Sequence, residues 1–182
     1  MSNNVCPWWM AYSFDNPFRS FFHNPEKIFS PYIRNGMTIV DIGCGMGYFS
    51  IGMAKMTGED GKVIALDIQP RMLQITESRA LKAGVSEKIK FQLCEENSIH
   101  IEEPVDFALT FWMIHETPDI HAFLLQIYFF LKPNGLLFIT EPKFHVSRSQ
   151  FEQELEIANR IGFDEIAGPV VAFSHTAVLE KK

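Results

Sequence analysis

From about residue 24 the chain alternates two patterns: short runs of β-branched and other apolar residues, and longer segments whose apolar positions return every three or four residues. The first pattern suits strands buried on both faces and the second suits helices that bury one side. Asn24-Pro25-Glu26 reads as a cap followed by proline at the first helical position, opening a helix to about Tyr32. Thr38 to Ile42 is the first expected strand, followed by a glycine-rich loop and a helix from about Tyr48 to Met56. Gly58-Glu59-Asp60-Gly61 turns the chain into a second strand, Lys62 to Asp67. Pro70 to Ala83 reads as a helix ended by Gly84, with strands expected at Ile89 to Leu93 and Val105 to Thr110. A helix over Pro118 to Leu131 leads through Pro133-Asn134-Gly135 into a fifth strand, Leu136 to Thr140. A polar helix over about Ser149 to Ile161 stops at Gly162, and strand-like runs near Ile166 to Val171 and Thr176 to Leu179 close the chain.

This alternation predicts a doubly wound, mainly parallel sheet with helices on both faces. Ligands of such sheets bind beyond the carboxyl ends of the strands, where the strand order reverses. A length of 182 residues suits one domain, and 47% hydrophobic with 21% charged residues is ordinary globular composition. No apolar run approaches the roughly 18 to 20 residues that cross a bilayer. The Cys6 to Met10 stretch is aromatic but short and has no basic segment before it, so it does not read as a signal peptide. Cys6, Cys44 and Cys94 form no Cys-x-x-Cys pair and read as reduced thiols, which places the protein in the cytoplasm. The net charge is −6, slightly positive over residues 1–91 and strongly negative over 92–182, which argues against nucleic acid as the main partner.

Candidate chemistry sits at the strand ends. The first strand runs into Gly43-Cys44-Gly45-Met46-Gly47, where glycines permit a tight turn and close approach of backbone to a ligand. Spacing then discriminates among nucleotides. A dinucleotide fingerprint needs its third glycine where Tyr48 stands, and the Gly-Lys-Ser/Thr end of a phosphate-cradling loop is missing. A loop with no basic residue of its own, preceded by Asp41, suits a ligand that is not a pyrophosphate. Asp67, closing the second strand, is placed to accept hydrogen bonds from both ribose hydroxyls of a nucleoside, and it is also a common kind of turn residue.

Val40-Asp41-Ile42-Gly43-Cys44-Gly45-Met46-Gly47, with Asp67 at the next strand end, resembles the class I S-adenosylmethionine-dependent methyltransferases. Leu131-Lys132-Pro133-Asn134-Gly135 looks like their turn before strand five, Asp106-Phe107-Ala108-Leu109 resembles their strand four, and Ile114-His115 fits the segment after it. The resemblance spans roughly residues 36–180. It implies a Rossmann-like α/β fold, a seven-stranded sheet that is mostly parallel with an antiparallel last strand and helices on both faces. It also implies S-adenosylmethionine as cofactor and S-adenosylhomocysteine as product. By position, Gly43, Cys44 and Gly45 would line the methionine half of the cofactor. Asp41 would orient the loop and face the ammonium group. Asp67 would hold the ribose, and Ile68 would pack on adenine. Glu95 would accept from the adenine amino group, although Cys94-Glu95-Glu96 departs from the family's Gly-Asp-Ala. Thr110 and Phe111 would touch the methionine moiety.

The same resemblance narrows the acceptor. Thr110-Phe111-Trp112-Met113 lacks the Asn/Asp-Pro-Pro-aromatic tetrad of base-amino and amide methylators, the Pro-Cys pair of cytosine C5 enzymes and the metal-binding Asp of catechol-type members. No resident metal is expected. Phe111, Trp112 and Met113 read as an apolar wall suited to a small-molecule acceptor, or as ordinary core. His115, Glu141 and His145 are candidates for acceptor binding or proton removal, with capping of the next helix as the other reading of His115. The cysteines open a thiophilic acceptor such as arsenite, against the plainer reading as structural thiols. Residues 1–35, with Trp8, Trp9 and Phe18, read as a lid or an edge cover for the domain at 36–182, with Arg19 available to an anionic substrate. The reading is a methyltransferase acting on a small molecule. A protein or RNA acceptor, a non-catalytic cofactor-binding protein and a homodimeric assembly remain open beside it.

Overall fold

The computed structural model describes residues 19–182. In chain order the elements are α1 (Arg19–Phe22), α2 (Pro25–Phe29), β1 (Thr38–Ile42), α3 (Tyr48–Ala54), β2 (Lys62–Asp67), α4 (Pro70–Lys82), β3 (Ile89–Leu93), β4 (Val105–Phe111), α5 (Ile120–Phe130), β5 (Leu131–Pro142), α6 (Arg148–Ile161), β6 (Phe163–Ala167) and β7 (Ser174–Lys181). Short 3₁₀ turns occupy Ser86–Lys88 and Ile114–Glu116. The strands form one sheet in the order β3-β2-β1-β4-β5-β7-β6. β1 pairs in parallel with both β2 and β4, and β7 alone runs antiparallel, between β5 and β6. The seven-stranded Rossmann-like expectation, antiparallel last strand included, is therefore met.

Alternation along the strands builds two cores. Val40, Ile42, Ile64, Leu66, Ala108, Leu137 and Ile139 face one side, under Leu124 and Ile127 of α5 and Phe151 and Ala158 of α6. Their neighbours Ile39, Val63, Ala65, Phe107, Leu109 and Phe138 face the other, under Phe29 of α2, Phe49 and Met53 of α3 and Ala80 of α4. Phe29 meets Phe49, Phe107 and Phe138 with ring centroids 5.2 to 6.0 Å apart, so α2 is part of this second core. Residues 1–18 of the aromatic N-terminal segment lie outside the described residues.

Local signals placed most boundaries. Asn24 accepts from the Lys27 N–H at 3.0 Å, and Ser147 and Gln150 form a capping box at the start of α6. Three of the boundaries that differ from the sequence pattern have a visible cause. α5 begins at Ile120 rather than Pro118, because Asp119 supplies the cap, accepting from the Ala122 N–H at 2.9 Å. β5 begins at Leu131, which pairs with Val105; the Pro133-Asn134-Gly135 turn is a register shift inside the strand, with Asn134 at φ +61°. β6 lies at 163–167 instead of 166–171, since Phe163 is buried directly after the Gly162 stop and pairing with β7 ends before Gly168-Pro169. Among the described residues no helix is long and apolar enough to cross a membrane.

Phe138 is completely buried at the centre of the second core, between Phe29, Phe107 and Tyr32. Phe138→Ala is expected to cost about 3 to 5 kcal/mol of unfolding free energy, read as a lower urea midpoint at unchanged slope.

Candidate functional site

The strand order reverses at β1, so the loops leaving β1 and β4 diverge and open a cleft at the carboxyl edge of the sheet. The loop after β1 is held from below. The Cys44 N–H donates to the Leu66 carbonyl at 2.8 Å, and the Thr76 hydroxyl donates to the Gly45 carbonyl at 2.9 Å. Gly45 and Gly47 both adopt left-handed backbone, with φ +53° and +78°, for different reasons. A β-carbon on Gly47 would lie 2.4 Å from Thr76 Cγ2, so this glycine permits the close approach of the loop to α4. A β-carbon on Gly45 would meet nothing within 4 Å; its free side is the cleft.

Asp67 ties the loop to the end of β2. One carboxylate oxygen accepts from the Gly45 N–H and the other from the Gln69 N–H, both at 2.9 Å. The residue is only 6% exposed, and burial pushes its carboxyl up to about 6 against the opposing pull of those backbone N–H groups. Asp41 is buried further, and the Ser50 hydroxyl of α3 donates to it. Burial raises the Asp41 carboxyl to about 6 as well, with the Ser50 bond and the Arg19 charge acting downward. Asp41 therefore anchors α3 to the end of β1.

Gly43, Gly45, Asp67, Ile68 and Met72 form one wall of the cleft, Glu95, Glu96 and Ile99 another, and Phe111, Trp112, Met113, Glu116 and Thr117 the third. Trp112 sits at φ +60°, a costly backbone for a bulky residue. It is held there because its backbone N–H donates to the Thr140 carbonyl at 2.7 Å and its indole N–H to the Ser174 hydroxyl at 2.9 Å. His23 stands edge-on to both Phe111 and Trp112, with centroids 5.3 Å away, and bonds the Ala172 carbonyl at 3.0 Å. The Arg19 guanidinium lies over Tyr48 at 4.5 Å and Phe49 at 4.8 Å. Residues 19–23 thus cross the aromatic rim of the cleft.

A second polar group lies at the ends of β4 and β5. Glu141, fully buried, accepts from the Ile114 N–H at 2.9 Å and from Nδ1 of His115. Burial alone would lower the His115 imidazolium, but the Glu141 bond and charge outweigh it and raise the group above its ordinary value. The ring of His145 stacks on His115 with centroids 5.7 Å apart and 11° between planes. His145 also touches Phe144, and Phe144 stands edge-on to Trp112 at 5.4 Å. Consecutive ring contacts therefore join the imidazole pair to the cleft wall.

A family model described as a methyltransferase domain matches residues 33–167. The chain belongs to the methyltransferase-domain family. Among curated proteins of this family, ubiquinone biosynthesis O-methyltransferase of Xylella fastidiosa (strain 9a5c) is 25% identical over 138 residues, 73% of this chain and 53% of that protein. Demethylmenaquinone methyltransferase of Lactobacillus johnsonii is 29% identical over 112 residues, 60% of this chain and 45% of that one. The chain thus spans about half the length of the curated relatives it matches. Among solved structures, an S-adenosylmethionine-dependent methyltransferase from Aquifex aeolicus superposes with a TM-score of 0.84 at 26% identity, covering 97% of this chain and 98% of that one.

Of the residues this methyltransferase domain was expected to use, the fold brings Gly43, Gly45, Asp67, Ile68, Glu95 and Phe111 to the cleft. Cys44, Thr110 and Asp41 are buried beside it; Cys44 packs in the core under α3, and Thr110 Oγ1 reaches the Phe138 carbonyl at 3.4 Å. His115, Glu141 and His145 come together with one another. Burial pushes the Cys44 thiol well up and the Cys94 thiol to about 11, which leaves protonated thiols where a thiophile would need thiolates; Cys6 lies outside the described residues. The pattern reading missed Gln69, Met72 and Ile99 as cleft residues, because nothing in a short stretch marks a helix-cap glutamine, a first-turn methionine or a loop isoleucine as cleft wall. It also missed the burial of Glu154, although a glutamate inside the Phe151, Ala158 stripe of α6 is a readable signal.

The two glycines should separate stability from binding. Gly47→Ala forces a clash with Thr76 on top of unfavourable backbone and should lower stability by at least about 1 to 3 kcal/mol. Gly45→Ala has open space, so denaturation should show no more than about 1 to 2 kcal/mol lost to the backbone. Its main effect should be weaker binding in the cleft, read by calorimetry with S-adenosylhomocysteine.

Proposed function

We propose that this methyltransferase domain transfers the methyl group of S-adenosylmethionine to a small-molecule acceptor whose nucleophile arrives protonated. The observation that carries the reading is the cleft at the reversal of strand order, with an open cradle at Gly45 beside the buried Asp67 carboxylate. The donor set fits a nucleoside: each Asp67 oxygen already accepts one backbone N–H and keeps a lone pair for a ribose hydroxyl. Ile68 and Met72 offer an apolar bed for adenine, and Glu95 stands at the edge where its amino group would lie. Gly43, Gly45 and Phe111 are assigned to the methionine half, with Cys44, Thr110 and Asp41 buried beside the cleft in support.

When bound, S-adenosylmethionine supplies a methyl group already activated by its sulfonium. The chain's own work is then alignment, exclusion of water and handling of one proton. Holding acceptor and donor in line can supply around 7 to 11 kcal/mol of the barrier. Phe111, Trp112 and Met113 give the acceptor an apolar, dry wall. With Nδ1–H committed to Glu141, His115 presents Nε2 as the proton acceptor, an arrangement of carboxylate and imidazole suited to general-base work. The curated relatives are named for ubiquinone biosynthesis O-methylation and demethylmenaquinone methylation, which supports an aromatic hydroxyl or ring acceptor for this chain too. A cytoplasmic location belongs to the same proposal, supported by the free thiols Cys44 and Cys94.

The first test is calorimetry with S-adenosylmethionine and S-adenosylhomocysteine, followed by methyl-transfer assays on a panel of phenols and dihydric phenols. Ribose hydroxyls donating to Asp67 favour its charged form, so binding should release a proton and tighten as pH rises through about 6. Asp67→Asn should weaken binding by roughly 1.5 to 3 kcal/mol at neutral pH and flatten that dependence. Equal affinity across the pH range in both proteins would remove Asp67 from the site. His115→Gln should depress turnover about 10² to 10⁴-fold with S-adenosylhomocysteine affinity unchanged. A loss of stability without a loss of turnover per folded molecule would leave His115 only as a brace between the ends of β4 and β5. Turnover on protein or RNA but on no phenol would move the acceptor to the macromolecular class.

A further inference from the structure

Alternation along β5 and β7 sorts their last side chains onto opposite faces of the sheet. Leu137, Ile139, Ala177 and Leu179 belong to the core under α5 and α6, Phe138 and Val178 to the core under α2, α3 and α4. By the same alternation Glu141 lies on the first face, whereas Thr140, Ser174 and Thr176 lie on the second. Thr140 and Thr176 stand directly opposite one another in the ladder, and Phe111 is the partner of Thr140 on its other side. Facing threonines in a sheet commonly share a hydrogen bond. These two do not: both hydroxyl oxygens are buried, and among the described residues neither has a hydrogen-bond partner. Such a hydroxyl costs stability that a valine in its place would not, so its retention calls for an explanation.

His23 supplies a third polar atom without a partner. The ring is buried against Phe111 and Trp112. A carbonyl can only accept, so the 3.0 Å bond to Ala172 puts the hydrogen on Nε2. Burial lowers the imidazolium below its ordinary value, so the ring is neutral and Nδ1 is an acceptor, with no hydrogen bond among the described residues. Ser174 joins the parts: its hydroxyl accepts from the Trp112 indole N–H at 2.9 Å and donates to the Ala172 carbonyl at 3.0 Å. The Trp112 backbone N–H donates to the Thr140 carbonyl at 2.7 Å. Thr140 and His23 thus adjoin Phe111 and Trp112, the residues that wall the cleft, and Thr176 stands next to Thr140.

We propose that Thr140, Thr176 and His23 form a subsite beside Phe111 and Trp112 that binds a hydroxyl group of the acceptor ring other than the one methylated. The inference rests on the aromatic acceptor and the His115 base role assigned above, and it narrows the acceptor to a dihydric phenol. A hydroxyl gives one hydrogen bond and takes others, and the subsite holds the complement: hydroxyl donors on the threonines and an acceptor nitrogen on His23. The two polar groups at the end of β5 divide the work by face. Glu141 holds His115 on one side for the proton of the nucleophile, and Thr140 stands on the other for the second hydroxyl. Residues 19–23 lie over this end of the second face, fastened by the contacts of His23 and by Phe22 against Phe173 at 5.5 Å. A ring reaches the threonines by lifting that short segment.

The test follows the indole N–H signal of Trp112 by NMR in the full chain, assigned by its loss in Trp112→Phe. Phenol and toluene are the probes, titrated in the presence of S-adenosylhomocysteine. Phenol should bind about 5- to 10-fold more tightly than toluene, the difference of a hydrogen bond or so. Thr140→Val and Thr176→Val should each remove most of that preference by weakening phenol alone. Thr140→Val should also raise the melting temperature by about 2 to 4 °C, because an unpartnered hydroxyl has been replaced by a methyl group. His115→Gln should leave the preference intact. Equal binding of the two probes, or binding of neither, overturns the proposal. So does a preference that survives in the folded valine variants, or one that disappears with His115→Gln. Valine variants that melt lower or fail to fold would show the hydroxyls already satisfied within the fold, and would overturn it as well. Failure of the cofactor reading is separate: S-adenosylhomocysteine would not bind by calorimetry, while phenol kept its preference.

Discussion

The central strands of this sheet are buried on both faces, and that constraint organises everything else. Along β1, β2, β4 and β5 a polar side chain has nowhere to go until the strand runs out, and there the polar residues collect. Asp41, Asp67, Thr110 and Glu141 are all buried, and all sit at or next to a carboxyl end. Each is held by a partner: Ser50 for Asp41, the Gly45 and Gln69 N–H groups for Asp67, the Phe138 carbonyl for Thr110, and Ile114 with His115 for Glu141. An unpartnered carboxylate at such depth would cost far more than a typical surface substitution. The site is therefore where the apolar rule ends, and its geometry follows from how those ends are tied.

Two ties divide the work. Asp67 bridges the loop after β1 to the loop after β2, and Thr76 secures the same loop from α4, so the glycine turn is fixed by the chain's own hydrogen bonds. Such preorganisation lowers the cost of ordering on binding. Glu141 bridges β5 to the turn after β4, which places His115 and, through the ring contacts of His145 and Phe144, connects it to Trp112 on the cleft wall. The strained backbone at Trp112 is paid for by its two hydrogen bonds to β5 and β7. Cofactor side and acceptor side thus rest on different carboxylates at different strand ends.

Residues 19–23 add a third layer. His23 packs on Phe111 and Trp112, and Arg19 caps the rings of Tyr48 and Phe49. Phe22 meets Phe173 at 5.5 Å, so this short stretch is fastened to the segment before β7 as well as to the rim. Arg19, held over the rings of Tyr48, Phe49 and Phe111 with its charge acting on Asp41, is a charge arrangement that the fold builds from distant parts of the chain.

The sequence by itself determined the elements, the doubly wound alternation and the cofactor edge. Those signals are local: strand ends can be read because β-branched runs stop at Asp41 and Asp67, the glycine spacing separates nucleotide classes within five residues, and caps such as Asn24 and the Ser147–Gln150 box act within one turn. Pattern failed where pairing overrode it, as in β5 starting at Leu131 and β6 at Phe163, because ladder partners lie tens of residues away. Only the tertiary structure decided that His115 bonds Glu141, 26 positions on, and that α6 buries Glu154. It also decided that Cys44 and Thr110, adjacent in sequence to cleft residues, point into the core. Sheet register and helix packing choose the face each side chain takes, and neither is encoded by any short stretch of residues.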